Sequence, residues 1–425
     1  MKRRTLQLLI LTALSSSCAM AQINCQVGSA STKLACEYPF AVGAYSNLSA
    51  LGPGNTSQNA QVVAQAIDTG IATQVSQLPL ATASAGTVLV YKDGVPQTLS
   101  NLGPVLADRA NTLGGKGKFY LGATGSQFVF TDIDGKSLKA LPFAFSQNAY
   151  DSGGNLLSTT YTNETADLNF KVDQFLIVGT VGLSKTFDVS VIVPIERVSV
   201  GVFTGNATSY VVSPTGTLLF KTNPKPTLGS GTASGLGDVA LNLKSIVHST
   251  ERATFAGGFM LRMPTGDDAN LLGSGAFGFN PYLVFSYLNK VSPHAKIGYQ
   301  WNSATELNNP TVTKGGNKQL PGGLQYDLGA DWAAKKWLTV AVDLLGNQFM
   351  NTPSVVTSNL TITGVSTPVT TSSTQNSSYS IGNVSTGVKV NPFGNLVLSA
   401  NLLTQINNAG LRSRPTPLIG ISYKF

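Results

Sequence analysis

From Lys116 onwards apolar side chains recur at every second position, and this alternation constrains the fold more than any other feature. In 418–425, Ile419, Ile421, Tyr423 and Phe425 alternate with Gly420, Ser422 and Lys424. Upstream, Leu396, Leu398, Ala400 and Leu402 oppose Ser399, Asn401 and Gln405, and Leu324, Tyr326, Leu328, Ala330 and Trp332 oppose Gln325, Asp327, Gly329 and Asp331. Ala295, Ile297, Tyr299 and Trp301 are interleaved with Lys296, Gly298, Gln300 and Asn302. Successive side chains of a strand point to opposite faces, so such segments present one apolar and one polar face. The apolar face needs a partner, which is either a second sheet or lipid.

The N-terminus and the composition favour lipid. Lys2, Arg3 and Arg4 precede a short apolar stretch, Leu6 to Leu14, and Ala19-Met20-Ala21 offers a small-x-small cleavage site. Residues 1–21 therefore read as a signal peptide, whose removal takes three bases and no acid from a chain of formal charge +8. Charged residues make up 11% of the sequence, against about 25% in soluble domains. Yet no apolar run beyond the leader reaches the ~18 residues a membrane helix needs. Backbone groups in hydrocarbon must all be paired, so strands in lipid have to close on themselves. The expected fold class is all-β, a transmembrane antiparallel up-and-down β-barrel.

Twelve strands are expected, near 118–130, 168–180, 187–197, 236–247, 254–263, 277–287, 294–302, 323–332, 337–346, 379–390, 395–405 and 417–425. The number becomes fourteen if 210–221 adds a hairpin. In the first strand the phase slips near Gly125-Ser126, which predicts a bulge. Trp332 and Trp337 bracket a short turn, where an aromatic girdle belongs. The ending in Phe425 resembles the signal read by the barrel-assembly machinery, an expected partner along with outer-membrane lipid and lipopolysaccharide.

Residues 22–115 read differently from the barrel of 116–425. Ala60, Val63, Ala64, Ile67, Ile71 and Leu78 share a helical stripe between Gly52-Pro53-Gly54 and Pro79, predicting a small helical element. It packs beneath the barrel mouth in the periplasm or forms a plug in the lumen. Cys25 and Cys36, the two cysteines beyond the leader, are expected to pair in an oxidising compartment.

Chemistry-bearing motifs are sparse. No Lys/Arg cluster suggests nucleic acid, and no CxxC suggests zinc. His248 and His294 fall in predicted periplasmic turns, and no Ser–His constellation is apparent, so neither an enzyme nor a cofactor is expected. Gly273-Ser274-Gly275-Ala276-Phe277-Gly278 spells a dinucleotide fingerprint, but a period-two strand follows it instead of a helix, so it reads as a flexible loop. Asp267-Asp268 reads as a solvated loop tip. Charges on lipid-facing positions cost ~2–4 kcal/mol near the midplane, so alternation assigns them to the lumen. Asp188, Glu196, Asp238, Asp327, Asp331 and Asp343, with Lys244, Arg262 and Lys296, are the lumen-lining candidates, joined by Lys171, Asp173 and Lys424. They line a water path or pair across it.

Several segments resemble an outer-membrane barrel family named after the phenol meta-degradation pathway: Gly235-Leu236-Gly237-Asp238, FMLRMPTGD at 259–267, Asn280-Pro281-Tyr282 and KTFDVSVIVPIERV at 185–198. FVFTDIDGKSL at 128–138 is similar to a related subgroup. The resemblance implies a passive outer-membrane channel or transporter for small hydrophobic or aromatic molecules, without catalytic residues. A structural or surface-interaction barrel with a filled lumen is the alternative.

Overall fold

The computed structural model describes residues 33–36, 70–71, 73, 89–92, 95–98, 101–305, 307, 318–366 and 368–425. Its wall consists of β1 (Phe119–Ile133), β2 (Leu156–Gly182), β3 (Phe187–Val212), β4 (Thr227–Leu236), β5 (Ala240–Ser249), β6 (Ala253–Arg262), β7 (Gly278–Tyr287), β8 (Val291–Asn302), β9 (Gly323–Lys335), β10 (Leu338–Leu360), β11 (Val369–Phe393), β12 (Leu396–Gln405), β13 (Leu411–Ser413) and β14 (Thr416–Lys424). Neighbours pair antiparallel in chain order, and β14 returns to β1 through pairs such as Ile421↔Ala123, closing the ring. β4 and β5 together flank β3, through Ile195↔Leu236 and Ala240↔Ile192. β13 and β14 likewise share one position, which makes the barrel twelve-stranded. Residues 210–221 do form a hairpin, Tyr210↔Lys221, but it extends β3 beyond the rim instead of adding to the ring.

Near the short-turn end the pattern follows the two solvents. Phe175, Val181, Val191, Ile195, Phe255, Leu283, Ile297, Leu328, Val342, Leu398 and Ile419 point outwards and are exposed, while Thr180, Asp188, Ser190, Lys244, Ser286, Asp331 and Asp343 point inwards and are buried. Trp332 and Trp337 lie outside next to the β9–β10 turn, with the Lys335 ammonium 5.3 Å from the Trp337 ring centroid. Phe425 donates its N–H to the Phe119 carbonyl (2.8 Å) and packs on Phe119 and Tyr423 at centroid distances of 5.6 and 4.6 Å, so it seals the seam.

Towards the long-loop end the two faces of β1, β2 and β3 exchange polarity. Phe128, Phe130, Leu168, Phe170, Val172, Val198, Val200 and Val202 turn inwards and are buried, whereas Gln127, Lys171 and Arg197 lie outside and are exposed. No bulge occurs at Gly125-Ser126, because the register from Phe119↔Val181 to Phe130↔Phe170 is uninterrupted. What changes there is the surroundings. Below this level lipid lies outside and polar groups lie within; above it, water lies outside and an apolar core lies within.

That core is closed by inserted segments. The Leu34–Cys36 turn contacts the Asp268–Asn270 turn, with the Leu34 N–H donated to Asn270 Oδ1 at 3.3 Å, and Leu34, Ala35 and Ile71 join the buried cluster. Gly70, Ile71 and Thr73 are helical, while the rest of the helix expected over 57–78 lies outside the described residues. So do the leader and Cys25, and with Cys25 its pairing with Cys36. The loop after β6 is packed into the core instead of standing free. Leu271, Leu272 and Ala276 are buried, and Gly275 (φ 63°) leaves no room for a Cβ, which would meet Asp268 Oδ2 and Thr305 Oγ1. Asp268 there opens a short 3-10 turn that contacts the Leu34–Cys36 turn, instead of standing on a free loop tip.

Candidate functional site in the barrel lumen

Residues 101–115 cross the short-turn half of the lumen, and the wall holds them with polar groups. Asn101 Nδ2 donates to Ser292 Oγ (3.0 Å), the Leu102 N–H to Thr339 Oγ1 (2.9 Å), the Ala110 N–H to Ser286 Oγ (3.0 Å) and the Leu113 N–H to Asp188 Oδ2 (2.6 Å). Arg109 Nη2 lies 2.5 Å from Asp331 Oδ2, and Lys244 Nζ lies 3.1 Å from Asp108 Oδ1 while donating to the Arg109 carbonyl at 2.8 Å. Lys389 donates to the Pro104 carbonyl. The strap carries Asp108 and Arg109, and the wall answers each with the opposite charge. Buried charges need such partners, since an uncompensated one is strongly destabilising.

His294 completes this network and does not lie in a turn as its sequence position suggested. β8 starts at Val291, which places the ring on an inward position. Its Nδ1 stands 3.2 Å from Asp331 Oδ1 and its Nε2 2.8 Å from Asp343 Oδ1, so it bridges β9 and β10. The other histidine, His248, sits near the end of β5 and is exposed.

The remaining candidates separate by height. Arg262 donates to Asn302 Oδ1 (2.8 Å) and lies 3.6 Å from Asp238, whose carboxylate also accepts from the Ser274 N–H (2.8 Å) and Ser274 Oγ (2.5 Å). These groups pin the β6–β7 loop to the wall. Glu196 accepts from Gln174 Nε2 at 2.9 Å. Lys296 and Asp327 stand directly opposite on β8 and β9, both inward and half-buried. Lys296 places its ammonium 4.5 Å from the Tyr282 ring centroid, and Tyr282 lies flat against Gly258, where a Cβ would strike its ring. Lys424 is inward and half-buried as well. Lys171 and Asp173 are on the outside, contrary to expectation, because they lie above the level at which the outward face turns from apolar to polar. The sequence reading missed Asp108, Arg109, His294 and Lys389. Only the parity of His294 with Lys296, Gln300 and Asn302 carried a signal, since the strap has no periodicity.

The long-loop half of the lumen has different chemistry. Phe130 stacks with Phe170 at 4.9 Å and with Phe128 at 6.3 Å, giving an aromatic inner wall. Glu164 enters this region 2% exposed, and among the described residues neither carboxylate oxygen has a hydrogen-bond partner. It lies well above the lipid-facing stretch of β2, and burial pushes its carboxyl up to about 8.

A closed antiparallel ring with an apolar belt outside and charged groups within defines a transmembrane β-barrel. Residues 146–309 match a family described as "Putative MetA-pathway of phenol degradation". The stretches at 185–198, 235–238, 259–267 and 280–282 fall inside the match, and 128–138 lies outside it. Among solved structures, the chain is similar to an outer membrane channel from Pseudomonas putida F1, with 13% identity, a TM-score of 0.46 and coverage of 75% of this chain and 99% of that one. It is also similar to a FadL homologue from Pseudomonas aeruginosa, with 9% identity, a TM-score of 0.31 and coverage of 82% and 98%. No curated protein sequence matches the chain.

Proposed function

We propose that this barrel is a passive outer-membrane channel for small apolar or aromatic solutes, closed in the described state by its own N-terminal segment. The observation that carries this reading is the inward aromatic and aliphatic wall of the long-loop half, built on Phe128, Phe130, Phe170, Val198 and Val200. Apolar solutes partition favourably onto such a lining, at roughly 25 cal/mol per Å² buried, and a polar lining would instead favour ions and sugars. The strap below is held by hydrogen bonds and ion pairs, contacts that water can replace when the segment withdraws.

The filled lumen supports a second reading, a structural barrel whose interior serves only to stabilise it. Flux through purified protein in lipid vesicles separates the two. The channel reading expects uptake of a small phenolic or alkyl-aromatic probe above empty-vesicle leakage, rising several-fold when residues 101–115 are deleted. Background uptake by both proteins, each shown to be folded by its heat-modifiable gel mobility, would leave only the structural reading.

A further inference from the structure

Above the lipid-facing belt the outer wall carries a set of bases that the lumen does not use. Lys171 on β2 pairs in register with Val129 on β1 and Ser199 on β3, and Arg197 lies one inward-facing residue further along β3, opposite Asp173. On the other side of β1, Arg414 donates its backbone N–H to that same Val129 (2.9 Å). All three side chains are exposed, and among the described residues none of them makes an ion pair. Asp173 lies among them, but its carboxylate accepts from Gln127 Nε2 at 2.7 Å. Three cations thus cross adjacent strands at one height on the outer surface.

That height is what gives them meaning. Directly below lie the exposed apolar side chains Phe175, Ile195 and Leu236. The bases therefore begin where hydrocarbon ends, on the side away from the short turns, which face the periplasm in bacterial barrels. On the opposite wall Tyr299 and Trp301 occupy the outward positions near the rim of β8, so the basic arc belongs to one side of the barrel. Guanidinium and ammonium groups at a headgroup level match phosphate, with arginine able to engage it through two N–H donors.

We propose that Lys171, Arg197 and Arg414 form a binding surface for the phosphates of the outer-leaflet glycolipid, the phosphorylated lipid A portion of lipopolysaccharide. The acyl chains lie against Phe175, Ile195 and Leu236, and the phosphates reach the three bases. The site holds one side of the barrel against the leaflet that carries this lipid.

The test is retention of lipid A by the full chain, purified and folded in detergent, counted by native mass spectrometry. Wild type is expected to retain diphosphorylated lipid A, and the Lys171→Gln, Arg197→Gln, Arg414→Gln variant to retain on the order of tenfold less at equal lipid. Lys335→Gln with Lys336→Gln, on a short turn, should retain wild-type amounts. Equal retention by the triple variant overturns the proposal. So does equal retention of enzymatically dephosphorylated lipid A by wild type. Displacement of lipid A by inorganic phosphate at equal phosphate concentration would show a free-anion site and also overturns it. If the triple variant fails the heat-modifiability check, Arg414→Gln alone, which lies between strands, and loss of retention at high salt on wild type decide the matter.

Discussion

Arg109 holds a permanent charge at 1% exposure, against an equally buried Asp331. Removing one partner of such a pair costs ~3–5 kcal/mol, much of it from the charge left behind. Arg109→Ala should therefore loosen the strap while the ring, paired strand by strand, stays closed. Hydrogen exchange at the amides of Leu102, Ala110 and Leu113 should accelerate, and single-channel conductance should rise above wild type. Unchanged exchange would mean that the hydrogen bonds the strap amides donate to Ser286, Thr339 and Asp188 hold the strap unaided. Glu164 makes a different prediction. Its carboxyl is raised to about 8 in the folded protein against an ordinary 4.5, so the folded state binds the extra proton between those values. Stability should fall as pH rises through this window. Glu164→Gln should flatten that dependence, read as the urea midpoint between pH 5 and pH 9. Arg262, one of the charges expected either to line a water path or to pair across it, is locked between Asp238 and Asn302. Arg262→Ala should accordingly lower the unfolding midpoint by ~3–5 kcal/mol in free-energy terms and leave ion selectivity unchanged.

The wall strands were legible in sequence because lipid enforces alternation on every one of them. The start of β8 was misjudged because Pro293 takes an outward position there and Ser292, which faces inwards, accepts from Asn101, so only Val291 carried the apolar signal. The upper parts of β1, β2 and β3 were misread for a related reason. Alternation fixes which residues share a face but not which face is inside, and the assignment rested on lipid lying outside throughout. Val198 and Val200 obey the same period as Glu196 and Asp188 with the opposite polarity. The strap could not be found by any local pattern, since Arg109 meets Asp331 at a separation of 222 residues. At the seam, Phe425 packs on Phe119 and bonds its carbonyl. Deleting Phe425 should sharply lower the heat-modifiable fraction in outer-membrane extracts, and normal levels would assign no role in assembly to that residue.

The whole molecule is two environments on one closed sheet. Where the faces exchange polarity, the barrel acquires a fixed hydrophobic thickness. On β2 the lipid-facing stretch runs along the strand from Val181 to Phe175, and the next outward residues are Asp173 and Lys171. Such belts are roughly 25 Å tall, in keeping with an outer membrane thinner than the average bilayer. A thicker bilayer has nowhere to put its extra methylenes on this side except over Asp173, Lys171 and Arg197. The protein should thus insert efficiently into vesicles of short-chain phospholipid and progressively less well as the acyl chains lengthen. Lys171→Leu combined with Arg197→Leu should shift that cut-off towards longer chains. The mismatch falls on one wall only, because Trp301 across the barrel tolerates either solvent, so in an over-thick membrane the barrel should lean towards β2 and β3 instead of sinking evenly.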